Sequence, residues 1–267
     1  MVWLRSMVEE MVKKGQTMIR AILTVKGGVG KTTTAMNLAA GFAYAGRKTL
    51  LIDFDGQANL SNILLGDQFP EKTITDVMAG KAEIRECIMP TKVRNLDIVP
   101  SSIYLFAIER RMLQETAGIQ QFKLRKALRS LKEYDEIVID NNPSLNMCST
   151  NALCACDEVI IPTVADKGSE DGITLTLEHC KEILEQIDGV YFDYKILITM
   201  LQRNNTDRNY CDRILSMYGD DHVFRSRIRF QAKPVKDAGF QSGILIDNQK
   251  ANVAQDYRDL ITEVMEG

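Results

Sequence analysis

With 267 residues, 45% hydrophobic and 26% charged, the chain has enough apolar material for a full core and needs no disulfide staples. A net charge of -3 excludes a generally basic protein, so any contact with nucleic acid must come from a local patch. Its six cysteines (Cys87, Cys148, Cys154, Cys156, Cys180, Cys211) lack paired spacing and read as free thiols. Cys154 and Cys156, one residue apart, want the further ligands of a metal site, and buried cysteines are expected there. No apolar run approaches the ~18 residues of a membrane span, and the opening MVWLRSMVEEMVKKGQT is too charged for a signal peptide, so a soluble cytoplasmic protein is expected.

Residues 1–17 form an extension with two readings. Val2, Leu4, Val8, Met11 and Val12 fall near helical spacing, which suits a short amphipathic helix docking on a partner or on the protein itself. The alternative is a start at Met18, which opens the first strand directly. From there, short apolar runs at 19–25, 48–54, 96–99, 136–140, 158–163 and 194–200 read as strands. Helical patterns fit 31–45, 102–115, 119–132, 146–155, 169–187, 206–218 and 252–265. Strands buried on both faces and separated by helices predict an α/β fold, a layered and mostly parallel twisted sheet flanked by helices, forming a single domain over 18–267. In such sheets ligands gather at the carboxyl ends of the strands.

KGGVGKTTT, residues 26–34, lies between the first strand and the first helix. A phosphate needs backbone N–H groups converging from a tight turn, and Gly27, Gly28 and Gly30 let the chain curl that closely. Lys31 then faces the terminal phosphates, the Thr32 hydroxyl is placed for Mg²⁺, and the helix dipole points at the same anion. The ordinary spacing G-x-x-x-x-G-K-[ST] is not met, because Val25 stands where its first glycine belongs. Lys26 is a second lysine with no duty toward its own nucleotide, and by itself reads as a solvated strand-end residue.

The segment KGGVGKTTTAMNLAAGFAYAGRKTLLIDFDGQANLS resembles the deviant P-loop ATPases of the ParA/MinD group. The likeness covers 18–265 and is strongest in 24–61 and 136–163. It implies that Lys26 reaches across a nucleotide-sandwich homodimer to the partner's phosphates. The ATP-binding set is then Lys26, Gly27, Gly28, Val29, Gly30, Lys31, Thr32 and Thr33, with Lys26, Lys31 and Asp55 carrying catalysis. Asp53 and Asp55, two residues apart at a strand end, suit ordering Mg²⁺ or its water. The resemblance implies that Asp55 is needed for hydrolysis, whereas the structural reading makes it a helix cap or an Asx turn. Asp140, ending EIVID, is placed to meet the metal through water. The metal set is therefore Thr32, Asp140 and Asp53. Relatives usually carry another proline before Pro143, and here Asn141 and Asn142 stand in its place.

Among branches of this group, membrane-positioning members end in a basic amphipathic helix. This chain ends NVAQDYRDLITEVMEG, acidic enough to be repelled by anionic lipid. The expectation is a ParA-like partitioning ATPase: an ATP dimer that binds double-stranded DNA non-specifically, associates with the nucleoid and hydrolyses ATP slowly until a ParB-like centromere-binding protein stimulates it. The alternatives are a MinD-like membrane-associated positioner and a non-hydrolysing nucleotide switch or adaptor. Phosphate contacts would come from a basic stretch at 203–236, with Arg203, Arg208, Arg225, Arg227, Arg229 and Lys233 as candidates and a solvated charged face as the alternative. The segment 228–246 is a weaker match, tied to the base and dimer region.

Overall fold

The computed structural model describes residues 16–68, 70–114, 119–166, 168–241 and 243–266. Apart from Gln16 and Thr17, the extension lies outside the described residues. Seven strands form one sheet: β1 (Met18–Ile22), β2 (Thr49–Phe54), β3 (Met89–Pro90), β4 (Leu96–Val99), β5 (Glu136–Asn141), β6 (Glu158–Val164) and β7 (Asp193–Thr199). Their spatial order is β3-β4-β2-β5-β1-β6-β7. Every pairing is parallel except that of the short edge strand β3 with β4. The expected strand at 19–25 stops at Ile22, after which the Leu23 N–H still reaches Ile160 O (3.0 Å) before the chain turns into the glycine loop.

Helices cover both faces: α1 (Lys31–Tyr44), α2 (Asn59–Leu65), α3 (Ile74–Met78), α4 (Leu105–Gln114), α5 (Lys123–Leu128), α6 (Met147–Ala155), α7 (Ser169–Gln186), α8 (Asn205–Tyr218), α9 (Ala232–Gln241) and α10 (Asn252–Glu266). Period-two alternation divides the strand residues between two cores. Ile22, Leu51, Val138, Ile160 and Leu197 pack with Leu38, Phe42, Tyr257 and Ile261 of α1 and α10. Their neighbours Ala21, Ile52, Ile139, Ile161 and Ile198 pack with Leu124, Leu153 and Ile173 on the opposite face. The helix expected over 119–132 is shorter because Asn151 of α6 intervenes: its side chain accepts from the Leu124 N–H (3.1 Å) and donates to Gln120 O (3.0 Å). At the start of α3, Thr73 and Asp76 form a capping box, the Asp76 carboxylate accepting from the Thr73 N–H (2.9 Å).

At the amino edge of the sheet, buried Arg20 bridges Glu136 and Glu158 from the two strands beside it, with Phe42 under its guanidinium (5.1 Å). Glu136 also takes Arg47, so no charge in this cluster is left alone. α1, the helix behind the glycine loop, is held from several sides. Asn37 Oδ1 accepts from the Leu245 and Ile246 N–H groups (2.8 and 3.1 Å), and the Thr34 and Tyr257 hydroxyls meet at 3.2 Å. Gly41 lets α1 approach α10 closely, since a β-carbon there would overlap the Ile261 side chain. Gly41→Ala should therefore destabilise the protein by about 1–3 kcal/mol, measured by urea unfolding. Adding Ile261→Ala should cost less than the two single effects summed.

Candidate nucleotide-binding site

The carboxyl ends of the parallel strands share one edge, and the glycine loop lies across it. Gly28 (φ +73°) and Gly30 (φ +85°) occupy the left-handed region that side chains resist, which curls the loop and turns it into α1. No side chain caps α1, so the loop leaves its amino-terminal N–H groups to a ligand. The Thr199 hydroxyl, 2.9 Å from both Val29 O and Thr163 O, ties the loop to β6 and β7.

Lys31 is buried, and its ammonium donates to Lys26 O (2.8 Å) across the loop. Burial lowers its pKa to about 8, against the opposing pull of the Asp140 and Asp55 carboxylates. Asp140 and Asp53 are direct partners across β5 and β2, and both are buried on the α1 side. Thr32 lies close enough to Asp140 to oppose the rise in its pKa, while Asp140 Oδ1 has no hydrogen-bond partner. Burial first, and the Asp53 carboxylate second, raise the Asp140 pKa well above the usual carboxylate range. A buried acid with one unpartnered oxygen, a hydroxyl beside it and a second carboxylate in the next strand is a donor set that fits a hard divalent cation.

Asp53, expected beside the metal, uses its oxygens differently. Oδ2 accepts from the Ser61 N–H (2.8 Å) and hydroxyl (2.6 Å), and Oδ1 from the Asp55 N–H (3.2 Å), so it braces the β2–α2 loop. Burial raises its pKa to about 6, against these hydrogen bonds. Asp55 is half-buried, and its Oδ1 accepts from the Gln57 N–H (2.9 Å): the Asx turn of the structural reading is real and coexists with a position close enough to act on Lys31.

Lys26 is held within its own chain, donating to the Asp166 carboxylate and the Ser169 hydroxyl (2.8 Å). Between Asp140 and α6 a polar chain supports the loop. Asn142 Oδ1 accepts from the Ser144 hydroxyl (2.9 Å) and Asn146 Nδ2 (3.4 Å), and Asn146 caps α6. Beside Gly30 and Thr33 opens a cavity of about 320 Å³ lined by Met200, Ile228, Phe230, Val235, Val253 and Tyr257. Met200, in the left-handed region at φ +54°, carries no sequence signal of this role, whereas Ile228, Phe230 and Val235 belong to the segment 228–246 that the sequence ties to the base region.

The basic stretch divides. Arg203, Arg208 and Arg227 share a recess at the start of α8, with Asp207 its one acid. Arg225 and Lys233 are exposed, Arg225 lying 3.7 Å from Glu263. Arg229 must be corrected: its Nε donates to Asp256 Oδ2 (2.8 Å) and the guanidinium matches that buried carboxylate, so it clamps residue 229 to α10 and adds no free charge. α10 itself buries Val253, Tyr257, Leu260, Ile261 and Val264 in the core. Among the described residues no helix is long and apolar enough to cross a membrane. Nor do they hold a group of three or more His, Cys, Asp or Glu suited to a metal, and all six cysteines are free and buried.

A strand, a glycine loop ending in a buried lysine followed by a half-buried threonine, and an acid ending the neighbouring strand define a P-loop nucleotide-binding protein. A family described as AAA domain matches residues 17–190. Soj of Bacillus subtilis, a sporulation initiation inhibitor protein, is 31% identical over 249 residues, covering 92% of this chain and 97% of the relative. The chromosome partitioning protein ParA of Myxococcus xanthus is 34% identical over 253 residues, covering 92% and 87%. Among solved structures, a plasmid partition protein of Borrelia burgdorferi B31 bound to AMPPNP aligns with a TM-score of 0.79 at 25% identity, covering 94% and 99%. The chain belongs to the ParA/Soj family of partitioning ATPases.

The unpartnered Asp140 oxygen has a consequence for the ligand-free protein. Asp140→Asn should raise stability without nucleotide and magnesium by on the order of 1–3 kcal/mol, seen as a higher melting temperature. It should also abolish the stabilisation that adding both produces. A variant melting below wild type would contradict the account of this acid.

Proposed function

We propose that the protein is a Mg²⁺-dependent ATPase that segregates DNA: ATP closes a homodimer, the dimer holds double-stranded DNA without sequence preference, and hydrolysis releases it. The observation that carries this reading is the convergence of Lys31, Thr32, Asp55 and Asp140 on one strand edge, with Lys26 above it on an ion pair that can exchange. Backbone N–H groups from Gly27 to Thr33 and the dipole of α1 receive the phosphates. Lys31, protonated, neutralises the terminal ones, and the 320 Å³ cavity accepts the base. Thr32 and Asp140 hold Mg²⁺, which when bound draws charge from the transferring phosphoryl group. Asp55 orients the attacking water from its turn, while Asp53 keeps that turn in place.

Lys26 leaves Asp166 and Ser169 when a second subunit presents its phosphates, so the lysine acts only in a dimer. Arg203, Arg208 and Arg227, together with the exposed Arg225 and Lys233, supply phosphate contacts that two subunits double. A ParB-like partner stimulates turnover, by roughly 10³–10⁵-fold if it supplies a missing group as in other partner-dependent P-loop switches. The buried apolar face of α10 weighs against a membrane positioner, since that face is committed to the core.

Asp55→Ala should trap a nucleotide-bound dimer without turnover, and Lys26→Ala should bind ATP yet sediment as a monomer. If wild type shows no turnover and Asp55→Ala leaves the assembly unchanged, the protein is a passive switch. DNA retention should require ATP and fall steeply with salt, and replacing Arg203, Arg208 and Arg227 should reduce the salt slope by roughly 0.9 per lost phosphate contact. Retention independent of ATP would refute the DNA part of the proposal.

A further inference from the structure

The turn between β2 and α2, which carries Asp55, is fastened to itself. The Ala58 N–H reaches Asp55 O (2.9 Å), and the Gln57 N–H reaches Asp55 Oδ1 (2.9 Å). Such bonds shape the turn and leave its position over the site to be set from outside. Ala58 adds to that demand, because it holds the left-handed backbone (φ +53°) that a β-carbon resists and that persists where the surroundings enforce it. Ala58 also offers α2 no side-chain cap, so the first N–H groups of that helix need acceptors from elsewhere.

Ser61, in the first turn of α2, answers both needs. Its N–H and its hydroxyl each donate to Asp53 Oδ2 (2.8 and 2.6 Å), and the other Asp53 oxygen accepts from the Asp55 N–H (3.2 Å). The same hydroxyl accepts from the Ser101 N–H (2.9 Å), just past the end of β4. Because a backbone N–H can only donate, the single hydroxyl proton is committed to the Asp53 carboxylate. One buried side chain therefore joins the end of β2, the start of α2 and the exit of β4. Beyond Ser101 the chain enters α4, where Phe106 lies against Gly56 so closely that a β-carbon there would come within 2.7 Å of its ring. Fixing Ser101 thus steadies the turn from its outer side as well.

We infer that Ser61 is a positioning residue of the hydrolytic reaction. Through Asp53 and Ser101 it holds the Asp55 turn where Asp55 orients the attacking water, and the inference rests on the role given to Asp55 above. A residue that merely stabilised α2 would lower stability and nucleotide affinity along with turnover. Positioning separates them, because Lys31, Thr32 and Asp140 belong to α1 and β5, which the three Ser61 bonds do not touch. Displacing a reacting group by about 1 Å can cost on the order of 10²-fold in rate while the ground state binds as before.

The test compares ATP turnover at saturating nucleotide with affinity for fluorescent AMPPNP in wild type, Ser61→Ala, Ser61→Thr and Asp55→Ala. Ser61→Ala should turn over at least about tenfold more slowly and bind AMPPNP within about twofold of wild type. Ser61→Thr keeps the hydroxyl and should recover most of the rate. Wild-type turnover in Ser61→Ala overturns the inference, and so does a parallel loss of turnover and affinity. If Asp55→Ala hydrolyses ATP like wild type, or wild type does not hydrolyse it, the reading of Asp55 has failed and the inference falls with it. Should Ser61→Ala misfold, Ser61→Cys takes its place, filling the site with a weak donor. Its turnover should also drop at unchanged affinity, and a wild-type rate there would equally sink the proposal.

Discussion

The buried carboxylate of Asp140, at the end of a strand buried on both faces, is the feature around which the site is arranged. A carboxylate that deep is costly, and one of its oxygens has no partner. The surrounding fold keeps it there: Asp53 is its neighbour in β2, Lys31 lies close, and α1 is tied to the carboxyl-terminal region through Asn37, Thr34 and Gly41. Two buried carboxylates paired across β2 and β5, one with an unpartnered oxygen, form a place where a cation would be favoured.

Lys26 shows a second constraint of the same kind. With Asp166 and Ser169 as partners it is satisfied inside one chain, so engaging another subunit means exchanging one set of charge-assisted contacts for another. Half-exposed pairs are weakly held, and little free energy opposes the exchange.

Charge on the basic stretch was redistributed by the tertiary structure. Eight bases lie between residues 203 and 236, but counting them overstates what is available, because Arg229 is spent on the buried carboxylate of Asp256 and Arg213 pairs with Glu170 (2.6 Å). Arg203, Arg208 and Arg227, separated by up to twenty-four positions, meet in one recess because β7, α8 and the segment returning beside β7 converge there.

The sequence by itself determined the α/β order, the glycine loop with its two lysines, and the acids ending β2 and β5, since these depend on local periodicity, backbone conformation and spacing along the chain. It also offered an Asx turn as one of the readings of Asp55. Only the tertiary structure decided what each polar group meets: Asp53 bracing a loop, Asn142, Ser144 and Asn146 replacing a proline, Arg229 clamping α10, Met200 and Phe230 lining a cavity, and Phe106 covering Gly56. Those pairings join residues distant in the chain, and the stability of a buried polar group depends on its partner in space, which no local pattern encodes.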